Sequence, residues 1–272
     1  MLEALFKYSF LQNAFIGSIL ASIACGIIGT IIIEKKLVMM SSGIAHTSFG
    51  GIGMGFFLGI EPIVGALVFA ISAALGIATI NRKSRENTDV LIGMFWAMGM
   101  AAGVLFIAFT PGYPPDISSY LFGDILTVTR MDICIMLVLD AIIAFTVISL
   151  YNILKAYLFD SEFSSVVGVK TVFIEYLIFI MVALTVVILI RVVGIILIMS
   201  LLTVPPACAK LFTFDLKKII LYSILFGMLF CFAGLWLSYE LQIASGASII
   251  IIAGLTYLIL RMVGRRKARN IA

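Results

Sequence analysis

The sequence has few charged residues and only one histidine. Of its 272 residues, 12% are Asp, Glu, Lys or Arg, whereas 63% are hydrophobic. Soluble domains usually carry about 25% charged residues, and no single core could bury so large an apolar excess. The shortage of charge therefore excludes an ordinary soluble protein and indicates that lipid surrounds most of the chain.

Several chemical motifs are also missing. The sequence has no GxxxxGK[ST] loop for binding ATP, and no HExxH pair, which argues against an intramembrane metalloprotease. Its cysteines stand singly in apolar segments without CxxC spacing, so we interpret them as small buried hydrophobic residues and not as disulfides or a metal cluster. They are Cys25, Cys134, Cys208 and Cys231.

Apolar runs that could cross a bilayer recur along the chain. A spanning helix needs about 20 mostly apolar residues, and the N-terminal run lacks the basic start and cleavage site of a secretory signal, so we expect it to be retained. With the glycine-rich segment 43–59, the sequence predicts an all-α, polytopic helical bundle of about eight to nine spans, forming one domain over residues 1–272. The other runs are 11–33, 62–80, 90–109, 133–154, 172–190, 192–209, 219–239 and 248–262.

The basic residues predict the orientation. Cytoplasmic loops of membrane proteins carry the excess of Lys and Arg. With the N-terminus outside, 15 of the 18 Lys and Arg residues fall in the inner connections and in the tail 261–272. We therefore predict N-out/C-in, and we interpret the basic tail as a cytoplasmic topology determinant and lipid-surface anchor, with no nucleic-acid partner.

Two connections are too long for simple turns. The outer one, 110–132, opens with three prolines that a helix interior does not tolerate, and its apolar part "SYLFGDILTV" predicts a short helix at the outer face. The inner one, 155–171, has apolar residues at helical spacing, and Gly168 suits the stop of that helix. We expect its apolar side to face the bundle and its polar side to face water or another protein. The apolar residues are Phe159, Phe163, Val166 and Val167.

The histidine, His46, lies in the stretch "SSGIAHTSFGGIGMGFFLGI". On a helix, Ser42, Gly50 and Gly53 share its face, whereas Gly51 and Gly55 lie on another face where a second helix could approach closely. We expect tight packing on that second face and room beside His46. The imidazole either hydrogen-bonds a nearby carbonyl, or lines a polar path as a transient metal ligand, since a lasting zinc site takes four protein ligands.

Five stretches, spread over nearly the whole chain, resemble the permease subunits of prokaryotic ABC importers for divalent metals. They are QNAFIGSILASIACGIIGTIIIEKKLVMMSSGIAHTSFGGIGMG, SYLFGDILTVTRMD, YLFDSEFSSVVGV, VGIILIMSLLTVPPACA and ELQIASGASIIIIAG. The resemblance implies a multi-pass subunit of the prokaryotic plasma membrane that is not an enzyme and holds no cofactor. It also implies a separate ATP-binding subunit, an extracytoplasmic metal-binding protein and two permease copies around one path.

The resemblance also implies roles for particular residues. In the family, the histidine matching His46 and an aspartate four residues earlier are candidate ligands for the transported metal; here that earlier position is Ser42. The inner segment 155–170 would be the ATPase-coupling segment, with Phe159, Asp160, Glu162, Phe163 and Gly168 as its matching residues. Other acids that could supply charge are Glu61, Asp116, Asp124, Asp140 and Glu240.

The residues leave open the identity of the metal and two alternative classes of transporter. Among metals, a histidine with few carboxylates favours zinc over manganese or iron as the substrate. A secondary transporter or channel would need no ATPase, but it usually has more charged residues within its spans, where only Asp140 lies well inside here. A permease for a metal chelate, such as a siderophore or cobalamin, is the remaining alternative.

Overall fold

The structure is a computed structural model that describes residues 8–83, 88–111, 123 and 125–269, without the side chains of 81, 83, 88 and 264–269. Every regular element in these ranges is helical, so the all-α prediction is confirmed. One short 3₁₀ helix covers Ile125–Thr127. The α-helices are α1 (Ser9–Glu34), α2 (Val38–Leu58), α3 (Pro62–Lys83), α4 (Thr88–Phe109), α5 (Arg130–Ser149), α6 (Tyr151–Phe159), α7 (Ser161–Val166), α8 (Thr171–Lys210), α9 (Leu216–Leu241) and α10 (Ser245–Arg269).

Seven helices in the described part of the chain are long and apolar enough to cross a membrane, namely α1, α3, α4, α5, α8, α9 and α10. This number differs from the predicted eight to nine for two reasons. The predicted spans 172–190 and 192–209 lie in one helical element, α8. The predicted segment 43–59 does form α2, but its Gly, Ser, Thr and His residues leave it outside the seven.

Helix α8 contains a break. Its 40 residues would measure about 60 Å as an uninterrupted helix, twice the hydrocarbon thickness of a bilayer. Gly194 interrupts it with φ 76° and ψ 163°, a conformation that glycine adopts without the steric cost of a side chain. Apolar residues continue on both sides of this glycine. The apolar pattern therefore predicts enough residues for two spans, but it does not predict the position at which the backbone departs from helical geometry.

Contacts divide the chain into two compact units. The first comprises Met1–Ile33, Leu121–Ala144 and Val192–Ala272, and the second comprises Glu34–Tyr120 and Phe145–Arg191. In the first unit, Gly26 of α1 lies against Ile224 of α9, and α9 packs on α10. In the second unit, α2 packs against both α3 and α4.

The outer connection is described only in part. Half of the predicted short helix, together with Asp116 and Asp124, lies outside the described residues. Its described half contains the 3₁₀ helix Ile125–Thr127. Its last residues form a cap for α5: the Thr129 backbone N–H donates to the Asp132 carboxylate (3.0 Å), and the Asp132 N–H donates to the Thr129 hydroxyl (3.2 Å). This reciprocal pair satisfies two N–H groups at the helix start.

The cysteines are only partly as predicted. Cys25, Cys208 and Cys231 are buried, but Cys134 is exposed on the surface of α5. The prediction that all four are buried is therefore wrong for Cys134. In a membrane span an apolar residue can face lipid as favourably as the protein interior, so hydrophobicity alone does not tell the two environments apart.

Candidate functional site

Helix α2 meets α3 through glycine on both helices. A Cβ atom on Gly51 would collide with the Gly65 carbonyl group, and one on Gly55 would lie 2.6 Å from the Pro62 Cα. The two backbones therefore approach more closely than any larger residue allows. The predicted close approach on the Gly51 and Gly55 face is confirmed.

The other face of α2 is equally close to α4. A Cβ atom on Gly50 would lie 2.7 Å from the Gly99 carbonyl oxygen, and one on Gly53 would lie 2.6 Å from that of Gly103. We expected these two bare positions to leave room beside His46, and that expectation is wrong. Small residues on α4 stand opposite them, and this complementarity cannot be read from α2 alone.

Substituting Gly53 by alanine is expected to destabilise the protein, because the new methyl group meets backbone atoms that cannot move aside. Overpacking of this kind costs about 1–3 kcal/mol. The matched control is Gly93→Ala on α4, where a Cβ atom would have no neighbour within 4 Å. Thermal unfolding of the purified variants in detergent should give a clearly lower midpoint for Gly53→Ala only; equal midpoints would contradict the close approach.

The imidazole of His46 is held in one orientation. Its Nδ1 lies 3.0 Å from the backbone carbonyl oxygen of Ser42. Because a carbonyl oxygen only accepts hydrogen bonds, Nδ1 must carry the proton, and in the neutral ring Nε2 then keeps its lone pair. Among the described residues His46 has no other hydrogen-bond partner, so Nε2 is the atom that could bind a metal ion.

Ser42 acts on the imidazole through its backbone. The residue is buried one helical turn before His46, as predicted, and its carbonyl oxygen is the acceptor. Any residue at this position would offer the same carbonyl group. The structure therefore brings Ser42 and His46 together without requiring the serine hydroxyl.

Trp96 is a part of this site that the sequence did not indicate. Its ring centroid lies 4.1 Å from that of His46, at an interplanar angle of 31°. The indole belongs to α4, which is also joined to α2 by a 3.0 Å hydrogen bond from the Thr47 hydroxyl to the Phe95 carbonyl oxygen. The indole restricts rotation of the imidazole, and only the tertiary pairing of α2 with α4 reveals it.

The acids singled out in the sequence have separate environments. Within the described residues no three His, Cys, Asp or Glu side chains are grouped to hold a metal ion. Glu61 forms an ion pair with Arg191 (3.2 Å), and Glu240 is exposed. Asp140 is only 8% exposed, and neither carboxylate oxygen has a hydrogen-bond partner among the described residues.

The inner segment is two helices and not one. The backbone of Asp160 is extended (φ −150°, ψ 106°) and separates α6 from α7. Its carboxylate accepts a 2.9 Å hydrogen bond from the Phe163 N–H, which caps the start of α7. The prediction of one helix across Phe159 to Val167 is wrong, because capping by the aspartate outweighs the continuity of the apolar spacing.

The apolar side of this segment faces outward. Phe159 is 95% exposed and Val166 is 84% exposed, and Phe163 and Val167 are exposed as well, whereas Ser164 is 2% exposed. We expected the apolar side to face the bundle, and the structure shows the reverse. Glu162 is also exposed, and Gly168 follows the helix with φ 93°, as its predicted role as a stop requires. The exposed residues Phe159, Phe163, Val166 and Val167 are called the α7 patch below.

Comparison with known proteins identifies the family. The family model described as "ABC 3 transport family" matches residues 7–264. The chain belongs to the ABC 3 transport family. The manganese transport system membrane protein MntC of Listeria monocytogenes is 33% identical to it over 95% of this chain and 92% of that protein.

Solved structures give the same result for the fold. The chain superposes with a TM-score of 0.86 on PsaBC from Streptococcus pneumoniae, at 32% identity over 95% of this chain and 93% of the other. An inward-facing ABC transporter of the metal-chelate type gives a TM-score of 0.74 at 13% identity, covering 96% of this chain and 88% of the other, and at that identity only the fold is shared. The resemblance to permease subunits of ABC-type metal transporters is confirmed, and this ABC 3 member is a multi-pass plasma-membrane protein.

Proposed function

We propose that this chain is the membrane-spanning permease of an ATP-driven importer that carries a divalent metal ion into the cytoplasm. The observation that carries the proposal is the full-length match to the ABC 3 transport family, together with a relative named for manganese transport at 33% identity. The match to a family of ABC transporters argues against a channel or a secondary transporter, since neither works with an ATPase. A chelate permease is less favoured, since the metal-chelate neighbour shares only 13% identity.

In this proposal the metal passes His46. The Nδ1 hydrogen bond to the Ser42 carbonyl group fixes the tautomer that leaves Nε2 as a ligand. One imidazole, with water and passing backbone oxygens completing the shell, would bind the ion briefly, as transport requires. The imidazole suits zinc, which the sequence favours, whereas manganese prefers more oxygen ligands. The relative MntC is named for manganese transport, so manganese is the first metal to test.

The ATPase subunit would dock on the α7 patch. Phe163 and Val166 lie on α7, Phe159 and Val167 lie at its two ends, and all four are exposed, as is the neighbouring acid Glu162. Such a surface suits a protein partner, because apolar anchors surrounded by polar residues are typical of interfaces. The sequence predicted that a partner would contact the polar side of this segment, whereas we now propose contact through its apolar side. Asp160 would shape this surface by capping the start of α7.

The remaining partners follow from the family and from the charge distribution. An extracytoplasmic metal-binding protein would deliver the ion, and two permease copies would enclose one path. The proposed N-out/C-in orientation is supported by the 15 of 18 basic residues on the predicted inner side. In that orientation the α7 patch would lie in the cytoplasm with the ATPase. The basic tail would contact anionic lipid there.

Uptake measurements test this function directly. Cells that express the permease with its ATPase and binding protein should accumulate one of Mn²⁺, Zn²⁺ or Fe²⁺ above cells that carry an inactive ATPase. The proposal predicts that accumulation requires ATP hydrolysis and that the free ion is sufficient. Accumulation that is independent of ATP, or that occurs only with a metal chelate, would contradict it.

A further inference from the structure

Lys35 lies in the short turn between α1 and α2, and its side chain is directed to another element. The ammonium Nζ is 3.9 Å from the ring centroid of Tyr157 on α6. This is well within the range of a cation–π interaction, which extends to about 6 Å. Lys35 is half-buried and Tyr157 is buried, so water screens this contact less than it would a surface pair.

Burial and nearby carboxylates act in opposite directions on the charge of Lys35. Burial lowers the pKa of Lys35, and the nearby carboxylates of Glu175 and Asp160 raise it in opposition. Burial also raises the pKa of Tyr157 to about 12, so its phenol stays neutral. Glu175 is held in turn by an ion pair with Arg82 at 3.4 Å. Lys35 thus contacts a neutral ring, and two acids nearby favour its charged form.

The position of Lys35 connects two sites. Tyr157 lies three residues before Asp160, the residue that caps α7 and shapes the α7 patch. On the other side, Lys35 lies three residues before the start of α2, and His46 lies eight residues into that helix, about 12 Å along its axis from Val38. The glycine contacts of α2 with α3 and α4 make it a stiff element.

We propose that Lys35 is a positioning residue, which ties the α6–α7 segment to α2 through its contact with Tyr157 and so passes movement of the α7 patch to the helix that bears His46. This inference rests on the proposed function, in which the α7 patch docks the ATPase. Without the contact, the ATPase could still bind and hydrolyse ATP, but α2 would no longer move together with the α7 patch.

The test measures Mn²⁺ uptake and ATP hydrolysis together, in proteoliposomes that contain the complete transporter. Lys35→Met and Tyr157→Leu should lower the number of ions carried per ATP about fivefold or more, the size expected from losing a partly desolvated cation–π contact. Lys35→Arg keeps the cation and Tyr157→Phe keeps the ring, so both should retain wild-type coupling. Lys36→Met, which removes the same charge from an exposed position in the same turn, is the matched control.

The outcomes separate this inference from the proposed function. Reduced coupling in Lys35→Met and Tyr157→Leu, with normal coupling in the conservative variants and the control, supports it. Unchanged coupling in either loss variant, or equal losses in Tyr157→Phe and Tyr157→Leu, overturns it. Association of the ATPase with each variant is measured in the same proteoliposomes, because ATP hydrolysis by unassembled ATPase would also lower this ratio. The proposed function fails separately, if the wild-type transporter shows no ATP-dependent uptake.

Discussion

Metal uptake should fall at least about tenfold when His46 is replaced by alanine. Changing only an outer-shell partner of a metal ligand typically costs about 10–100-fold in metal affinity or activity, and removing the ligand itself should cost at least as much. The imidazole is held by the Ser42 carbonyl group and by Trp96, with Nε2 left as a ligand. The measurement is the initial rate of uptake for Mn²⁺, Zn²⁺ and Fe²⁺, at equal membrane levels and equal association with the ATPase. The metal whose uptake collapses is the substrate.

Two variants on α2 serve as controls for His46. Met39→Ala shortens an exposed side chain on the same helix and should leave uptake unchanged. Ser42→Ala should also leave it unchanged, since the backbone carbonyl is the group that contacts the imidazole. If His46→Ala transports normally, the histidine serves only in packing against Trp96. If Ser42→Ala is as defective as His46→Ala, the hydroxyl is itself a ligand.

Association with the ATPase subunit is expected to weaken at least about tenfold when Phe163 is replaced by aspartate. Burying a phenylalanine side chain contributes about 1.5–3 kcal/mol, and a carboxylate placed in the same apolar contact would be desolvated without a partner. The measurement is the amount of ATPase subunit that co-purifies with the permease, together with its rate of ATP hydrolysis.

Phe214→Asp is the matched control for this substitution. Phe214 is 92% exposed, against 65% for Phe163, and it lies in the predicted inner connection 210–218, outside the α7 patch. Phe214→Asp should retain the ATPase, because it introduces the same charge at an exposed position that is not part of the proposed docking surface. Normal co-purification with Phe163→Asp would place the docking surface elsewhere.

The sequence predicts features that depend on one segment. The helical class and the presence of α2 follow from apolar composition, although α2 begins at Val38, five residues before the predicted segment 43–59. The close packing on Gly51 and Gly55 follows from glycine spacing along one helix. The stop at Gly168 likewise needs only a residue that tolerates a positive φ. In each case the local pattern and the folded structure favour the same outcome.

The features that were not predicted depend either on contacts with a second segment of the chain or on local signals that favour different structures. Trp96 reaches His46 only through the pairing of α2 and α4. The outward direction of the α7 patch could not be predicted, because an apolar stripe is equally suited to the protein's own core and to a partner. At Asp160, the sequence offers both continued helical spacing and a good N-cap, and the cap prevails. At Gly194, apolar residues continue through a break in helical geometry.

The contacts of α2 also restrict how the transporter can open and close. Glycine backbones of α2 lie directly against the backbones of α3 and α4 on two faces. At Gly51, Gly53 and Gly55 only backbone atoms are in contact, so no side chain can yield or change rotamer there. Helices packed in this way are expected to move as one rigid body, since packed interfaces shift between discrete arrangements and do not deform smoothly. The imidazole of His46 and the indole of Trp96 would then move together during the transport cycle. Access to the ion would change at the ends of this rigid group of helices and not through a rotamer change of the histidine.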